Sequence, residues 1–379
     1  MRTMFLLTFL VASFALLEGP PPKVSIHELT DGSLIEGSAR KTETGIRLTT
    51  PFGVRSVAAA DYRGVSSVSP LDLRKRAKEM LEGVARKDAA QHRAVATWCI
   101  KNGYLTGLRK RLNHLLSLEV DAPWARKRVA DLASVYTLHR TELAKRGRDR
   151  RKFVDFLFEK LAARDNVGAV LAVEKAASLD RELVYRAAMK ALKRGKPRVR
   201  WAGARTLGTF MDEPLRISPL YKQSLRDGIW AVRREAVRAL KVTGDEVFVR
   251  LYAKHLRSPE AMLRVRAAQA LAELGMAEAV KPLISALADT WRPVRNYVAI
   301  TNQIAYVKDY DVEVAQTAFI ADPVVDVIQE GAVLETAVIH VSVERRLYGD
   351  ALSRITGASL GTKPGAWRRW LDSNGAMPR

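Results

Sequence analysis

The chain has 379 residues, with 63 Lys and Arg against 41 Asp and Glu, for a formal net charge of +22. That length is too great for one ordinary core and implies two or three units. The charge favours acidic partners (nucleic acid, anionic polysaccharide or anionic lipid), the alternative being a basic solvated surface without a ligand, and the single cysteine excludes an intramolecular disulfide or a cysteine zinc site.

Residues 1–19 read as an export signal. Arg2 supplies the positive start, and Phe5 to Leu17 is apolar apart from Thr8 and Ser13, a run too short to span a bilayer comfortably. Ser13 and Ala15 form one small-x-small cleavage pair, a site nearer Gly19 is a second, and an uncleaved anchor is the competing reading. The expected location is the periplasm or cell envelope. Pro20, Pro21 and Pro22 make a stiff spacer. From about 24 to 68, within a module spanning 20–70, short runs with partial alternation are separated by Asp31-Gly32, Gly45 and Pro51-Phe52-Gly53. They predict four or five strands in a small half-open barrel. The stretch resembles SH3- or Sm-type modules seen ahead of helical regions in exported bacterial proteins. His27 and Glu28 do not extend to a metal-binding His-Glu-x-x-His, because Asp31 stands where the second His belongs.

Residues 71–150 read as helical hairpins ending in a basic linker. Met80, Leu81 and Val84 repeat at helical spacing, as do Val95, Trp98 and Cys99, and then Leu105, Leu108, Leu112, Leu115 and Leu116. Asn102-Gly103 breaks one helix from the next, Asp121 is placed to cap a further one, and Pro123 opens it. The run from Trp98 to Leu132 is similar to a TPR-like pair of hairpins. Trp98 and Trp124 read as core aromatics and Cys99 as a buried thiol. Lys145, Arg146, Arg148, Arg150, Arg151 and Lys152 form the densest basic run, and are the candidate contacts for a polyanion. Shorter basic runs lie at 74–78, 109–111, 126–128 and 193–200. Their chemistry would be phosphate or sulfate neutralisation with counterion release. The aromatics near them, such as Trp201, stand outside the runs, so the interleaving expected of a base-stacking surface is missing.

The strongest pattern lies in 192–302. Leu192, Leu225, Leu256 and Leu287 are separated by 33, 31 and 31 residues. Seven places after each comes Val199, Val232, Leu263 or Val294, and then always arginine: Arg200, Arg233, Arg264 and Arg295. Eleven and twelve places on, compact residues recur, from Gly203 and Ala204 to Val298 and Ala299. At fifteen the first three copies carry Leu207, Leu240 and Leu271, whereas the fourth has drifted to Asn302. Each copy reads as a helix hairpin whose turn holds Gly or Pro, and hairpins that cannot bury their apolar stripe alone must stack. The frame resembles the short HEAT-like repeats of bacterial proteins, of the kind first noted in phycobilisome lyases, and implies an α-solenoid over 151–379. The repeated arginines read as a structural ladder tied to acceptors ending the preceding helix, with Asp227 and Asp289 well placed, rather than as a ligand-binding row. The free-facing positions are then Arg205, Arg238, Gln269 and Ile300, thirteen after each Leu, and the first three are the candidate binding surface.

Beyond Tyr306 the helical period gives way to alternation, and 307–342 reads as a three-stranded meander inserted in the array. Its third run, Ala332 to Glu344, is apolar on both faces. It either braces the last repeat or offers a β-edge to a partner. Helix returns afterwards, and Trp367 and Trp370, three apart, form a C-terminal helical cap.

No Gly-x-Ser-x-Gly, Walker or Rossmann fingerprint occurs, and the six His show no ligand spacing. No cofactor or metal is expected. The expectation is a mainly α, exported, non-catalytic scaffold that binds another protein or peptide. Binding of an anionic polymer is the first alternative, and a helical-repeat enzyme such as a lyase the second.

Overall fold

In the computed structural model the described residues are 23–118, 122–138, 147–210, 217–291, 303–315, 318–329 and 333–375. The expected signal segment, 1–19, and the spacer prolines lie outside them, as do Asp121, Arg295 and Ile300. The fold is mainly helical and divides into two compact units, Met1–Leu207 and Gly208–Arg379. The division falls between the first and second copies of the repeat.

The first unit opens with five antiparallel strands: β1 (Ser25–Leu29), β2 (Leu34–Thr42), β3 (Gly45–Thr50), β4 (Gly53–Ala58) and β5 (Tyr62–Val65). Their order is β4-β3-β2-β1-β5. β4 and β5 do not pair, so the sheet is open and the expected barrel is not closed. Ile26, Leu48, Val54 and Val57 are buried, Leu48 and Val57 on one face of the sheet and Ile26 and Val54 on the other. His27 is buried in the sheet, its Nε2 donating to Gly37 O (3.0 Å) and its Nδ1 accepting from the Tyr62 hydroxyl (2.8 Å).

Helices follow: α1 (Pro70–Glu79), α2 (Ala89–Lys101), α3 (Leu105–Leu118) and α4 (Ala122–Val135). The expected basic linker is instead helical from Gly147: α5 (Gly147–Phe156) runs on through a π-helical turn, Leu157–Leu161. Then come α6 (Asn166–Ala176), α7 (Arg181–Arg194) and α8 (Pro197–Leu207). The sheet meets the helices at the α2–α3 turn. Gly103 takes φ +64° there, and a Cβ on it would sit 2.2 Å from Leu34 O. The Gly103 carbonyl accepts from Glu36 N, and the buried Glu36 carboxylate accepts Thr106 N (2.6 Å) and Thr106 Oγ1 (2.8 Å). A carboxylate from β2 thus satisfies the open N-terminus of α3. Arg109 binds Asp165 through Nε (3.0 Å) and Nη2 (2.9 Å) while donating Nη1 to Pro51 O. Asp165 in turn caps α6 at Gly168 N. One buried arginine therefore joins the β3–β4 turn, α3 and α6. Cys99 is fully buried, and burial pushes its thiol up to about 12. Trp98 and Trp124 are half-buried rather than core, Trp124 lying between the guanidinium groups of Arg93 and Arg128.

The second unit contains α9 (Ile217–Arg226), α10 (Trp230–Lys241), α11 (Val247–His255), α12 (Ala261–Leu274) and α13 (Val280–Asp289). A hairpin of β6 (Gln303–Ala315) and β7 (Ala318–Gln329) comes next, then α14 (Val333–Thr356) and α15 (Pro364–Asn374). The expected third strand does not exist: Val333 to Glu344 is the first half of α14. A short run apolar on both faces has no decisive period, and its β-branched residues imitate a strand. Continuity with the amphipathic stretch after it makes it helical. α14 packs against α12 and α13, and α15 packs against α13 with Trp367 fully buried and Nε1 donating to Gly361 O (2.8 Å).

Candidate functional site

Leu192, Leu225, Leu256 and Leu287 are all buried, at 1, 4, 5 and 0 % exposure. The compact positions have a visible purpose. A Cβ on Gly203 would lie 2.8 Å from Ala188 O and 2.9 Å from Leu192 N, so α8 approaches α7 too closely for any side chain there. In the second unit Ala236 and Val237 on α10, and Ala267 and Ala268 on α12, are buried in the same places.

The three repeated arginines among the described residues reach back to the end of the preceding helix. Arg200 Nη1 donates to Gly195 O (2.8 Å). Arg233 Nη1 donates to Asp227 O (2.9 Å), and Arg264 Nη1 to Ser258 O (2.7 Å) and Pro259 O (2.9 Å). The acceptors are backbone carbonyls that a helix end leaves open. The Asp227 carboxylate accepts from Ile229 N and Gln223 Nε2 and attracts the Arg233 guanidinium.

Arg345 makes the corresponding bond to α13, with Nη2 donating to Thr290 O (2.5 Å) and its guanidinium 4.1 Å over the Trp291 ring. The sequence frame agrees once it is looked for. Each ladder arginine precedes a buried leucine by seven: Arg200–Leu207, Arg233–Leu240, Arg264–Leu271 and Arg345–Leu352. Arg295 precedes Asn302 instead. α14 therefore supplies, for α13, the helix that α10 and α12 supply for α9 and α11, and the β6–β7 hairpin lies in the connection. The arginine–leucine spacing was the available signal; the insertion that separates Arg345 from the earlier copies concealed it.

The three helices α10, α12 and α14 are bolted together by buried acids. Glu273 on α12 is 6 % exposed and accepts Arg238 Nε of α10 (2.6 Å) and Arg354 Nη2 of α14 (2.7 Å). Glu344 of α14, 4 % exposed, receives a two-pronged bond from Arg264 (3.1 and 2.6 Å). Carboxylates buried this deeply need such charge-assisted partners.

These bonds alter the expected surface. Arg238 is not free-facing: it is half-buried and committed to Glu273, with Glu235 3.8 Å away. Gln269 is also half-buried, its Oε1 accepting from Arg233 Nη2 (3.4 Å). Arg205, in the first unit, lies 5.9 Å over the Trp201 ring. Exposed apolar groups accompany the row instead: Met262 at 59 %, Val242 at 70 % and Trp291 at 45 %. Only burial by neighbours distinguishes these from the predicted positions, and spacing along one helix does not carry that.

Of the polyanion candidates, Lys145 and Arg146 lie outside the described residues, Arg148 falls within α5, and Arg150, Arg151 and Lys152 are exposed on α5. Two other basic runs, 74–78 and 109–111, are brought to one cleft by α1 and α3. Among the described residues no three His, Cys, Asp or Glu side chains gather as for a metal, and no helix is long and apolar enough to cross a membrane.

No curated relative matches the chain. Residues 217–302, which hold α9 to α13, match the family described as HEAT repeats, and this supports a HEAT-repeat protein.

Proposed function

We propose that the chain is an exported, non-catalytic scaffold, an α-solenoid of HEAT-like hairpins that docks another protein or peptide along its second helices. HEAT repeats commonly serve as protein-interaction scaffolds. The observation that carries the reading is Glu273, which ties α10, α12 and α14 into one fixed row through Arg238 and Arg354. A docking face gains affinity when it is ordered before the partner arrives. Exposed Met262 beside half-buried Arg266 and Gln269 gives that row an apolar and polar mixture suited to a peptide. Arg238 acts by holding the row in place.

The test is site-specific photo-crosslinking of the full chain in its native envelope. Probes at Met262 and Gln269 should capture one and the same protein, and capture should survive high salt. A probe at exposed Lys281 on α13 should not capture it. Equal capture from all three positions, or none, would refute the docking face. Export is tested separately, by fusing residues 1–30 to a reporter active only outside the cytoplasm.

A second reading, binding of an anionic polymer, is favoured by the net charge of +22 and by exposed Arg150, Arg151 and Lys152 on α5. It predicts retention on heparin that falls steeply with salt and weakens when those three are changed to Gln.

A further inference from the structure

A cleft of about 470 Å³ opens between α1 and α3, with α2 beneath it. Its floor is apolar, formed by Leu81, Val95, Cys99 and Tyr104, of which the last three are buried. Its walls carry five cations: Arg74, Lys75 and Lys78 from α1, and Lys110 and Arg111 from α3. No carboxylate lines it. Among the described residues none of the five is in an ion pair.

The helical period builds this arrangement from two basic runs that are 31 residues apart. Leu71, Arg74, Lys75 and Lys78 stand at i, i+3, i+4 and i+7 on α1, so they share a face. Tyr104, Gly107 and Arg111 do the same along α3. Leu71 is 72 % exposed at the rim and extends the apolar surface outwards. Arg111 is half-buried and is held from behind by His92, whose Nδ1 accepts Nη1 at 3.3 Å. A cation is thereby positioned at the inner end of the cleft without a counter-ion. Five like charges facing one another across a low-dielectric floor repel, and a bound anion relieves that repulsion. The apolar floor adds the second requirement. A hydrated inorganic anion would leave it uncovered, whereas an alkyl chain would bury it. The volume falls within the range of small-ligand pockets.

We propose that this cleft binds a single-chain amphipathic anion, with its carboxylate or phosphate head among Arg74, Lys78, Lys110 and Arg111 and its alkyl chain on the floor of Leu81, Val95, Cys99 and Tyr104. This site is independent of the docking row on α10, α12 and α14, and either can fail without the other.

The experiment is calorimetric titration of the full chain with decyl phosphate, kept monomeric, alongside inorganic phosphate, decyl maltoside and a hexaglutamate peptide. Decyl phosphate should bind one to one, and each of the other three at least about tenfold more weakly. Lys78→Glu with Lys110→Glu, both at exposed positions that leave the core untouched, should weaken decyl phosphate by about tenfold or more. Leu71→Ser should weaken it by about threefold through lost chain contact. Arg257→Glu, exposed in the second unit, should leave it unchanged. Equal binding of decyl maltoside or of inorganic phosphate would overturn the proposal, as would full affinity in the double variant. Binding only to anionic vesicles or only to hexaglutamate, without decyl phosphate monomers, would overturn it as well.

Discussion

Arg109 shows how much one side chain can decide. It is 7 % exposed and serves a carboxylate from α6 and a carbonyl from the β3–β4 turn at once. Arg109→Ala would leave Asp165 without its partner, and the expected loss is about 3–5 kcal/mol in urea unfolding. Arg128, exposed, paired with Asp131 at i+3 and lying over the Trp124 ring, should cost less than about 1 kcal/mol when changed to Ala. Histidines give the first unit a pH dependence. His27 and His92 are both held below their ordinary value of 6.5, chiefly by burial, and His92 also by neighbouring His114 and Arg111. A depressed imidazole means that the folded state prefers the neutral form. The stabilisation is complete above 6.5 and is lost as pH falls from there through the lower folded values. The urea midpoint should therefore drop between about pH 7.5 and about pH 5. His27→Gln, which keeps a donor for Gly37 O, should flatten that slope; an unchanged slope would show that His27 does not contribute.

At the scale of elements, α14 carries the most consequence. Its bonds to α12 and α13 come from Glu344, Arg345 and Arg354, all beyond the β6–β7 hairpin. Arg345→Ala should cost about 2 kcal/mol, because it removes the bond to the open carbonyl of Thr290. Exposed Arg346→Ala should stay within about 0.5 kcal/mol. Much of this region was legible in the sequence. The buried leucines, the compact pair and the first three arginines recur in frame, and each does the packing or capping that its chemistry suggests. What misled was local. Val338, Ile339 and Val341 are β-branched and alternate over a few residues, which suits a strand as well as a buried helix. The basic cleft was illegible for another reason: 74–78 and 109–111 converge only where α1 and α3 line one cleft.

Across the molecule, each unit is closed by a buried arginine–carboxylate link between distant parts of the chain. In the first it is Arg109 with Asp165, and in the second Arg264 with Glu344. Neither pair follows from hydrophobic pattern, which places helices without saying which of them are neighbours. The second link is the more telling, since it spans the hairpin and sets α14 beside α12, completing the row on which the proposed docking depends. A double-mutant cycle on Arg264→Ala and Glu344→Ala, read by urea unfolding of the full chain, tests that placement most directly. The account predicts a coupling of about 2 kcal/mol between these two residues. Additivity within about 0.5 kcal/mol would contradict it and would remove α14 from the row.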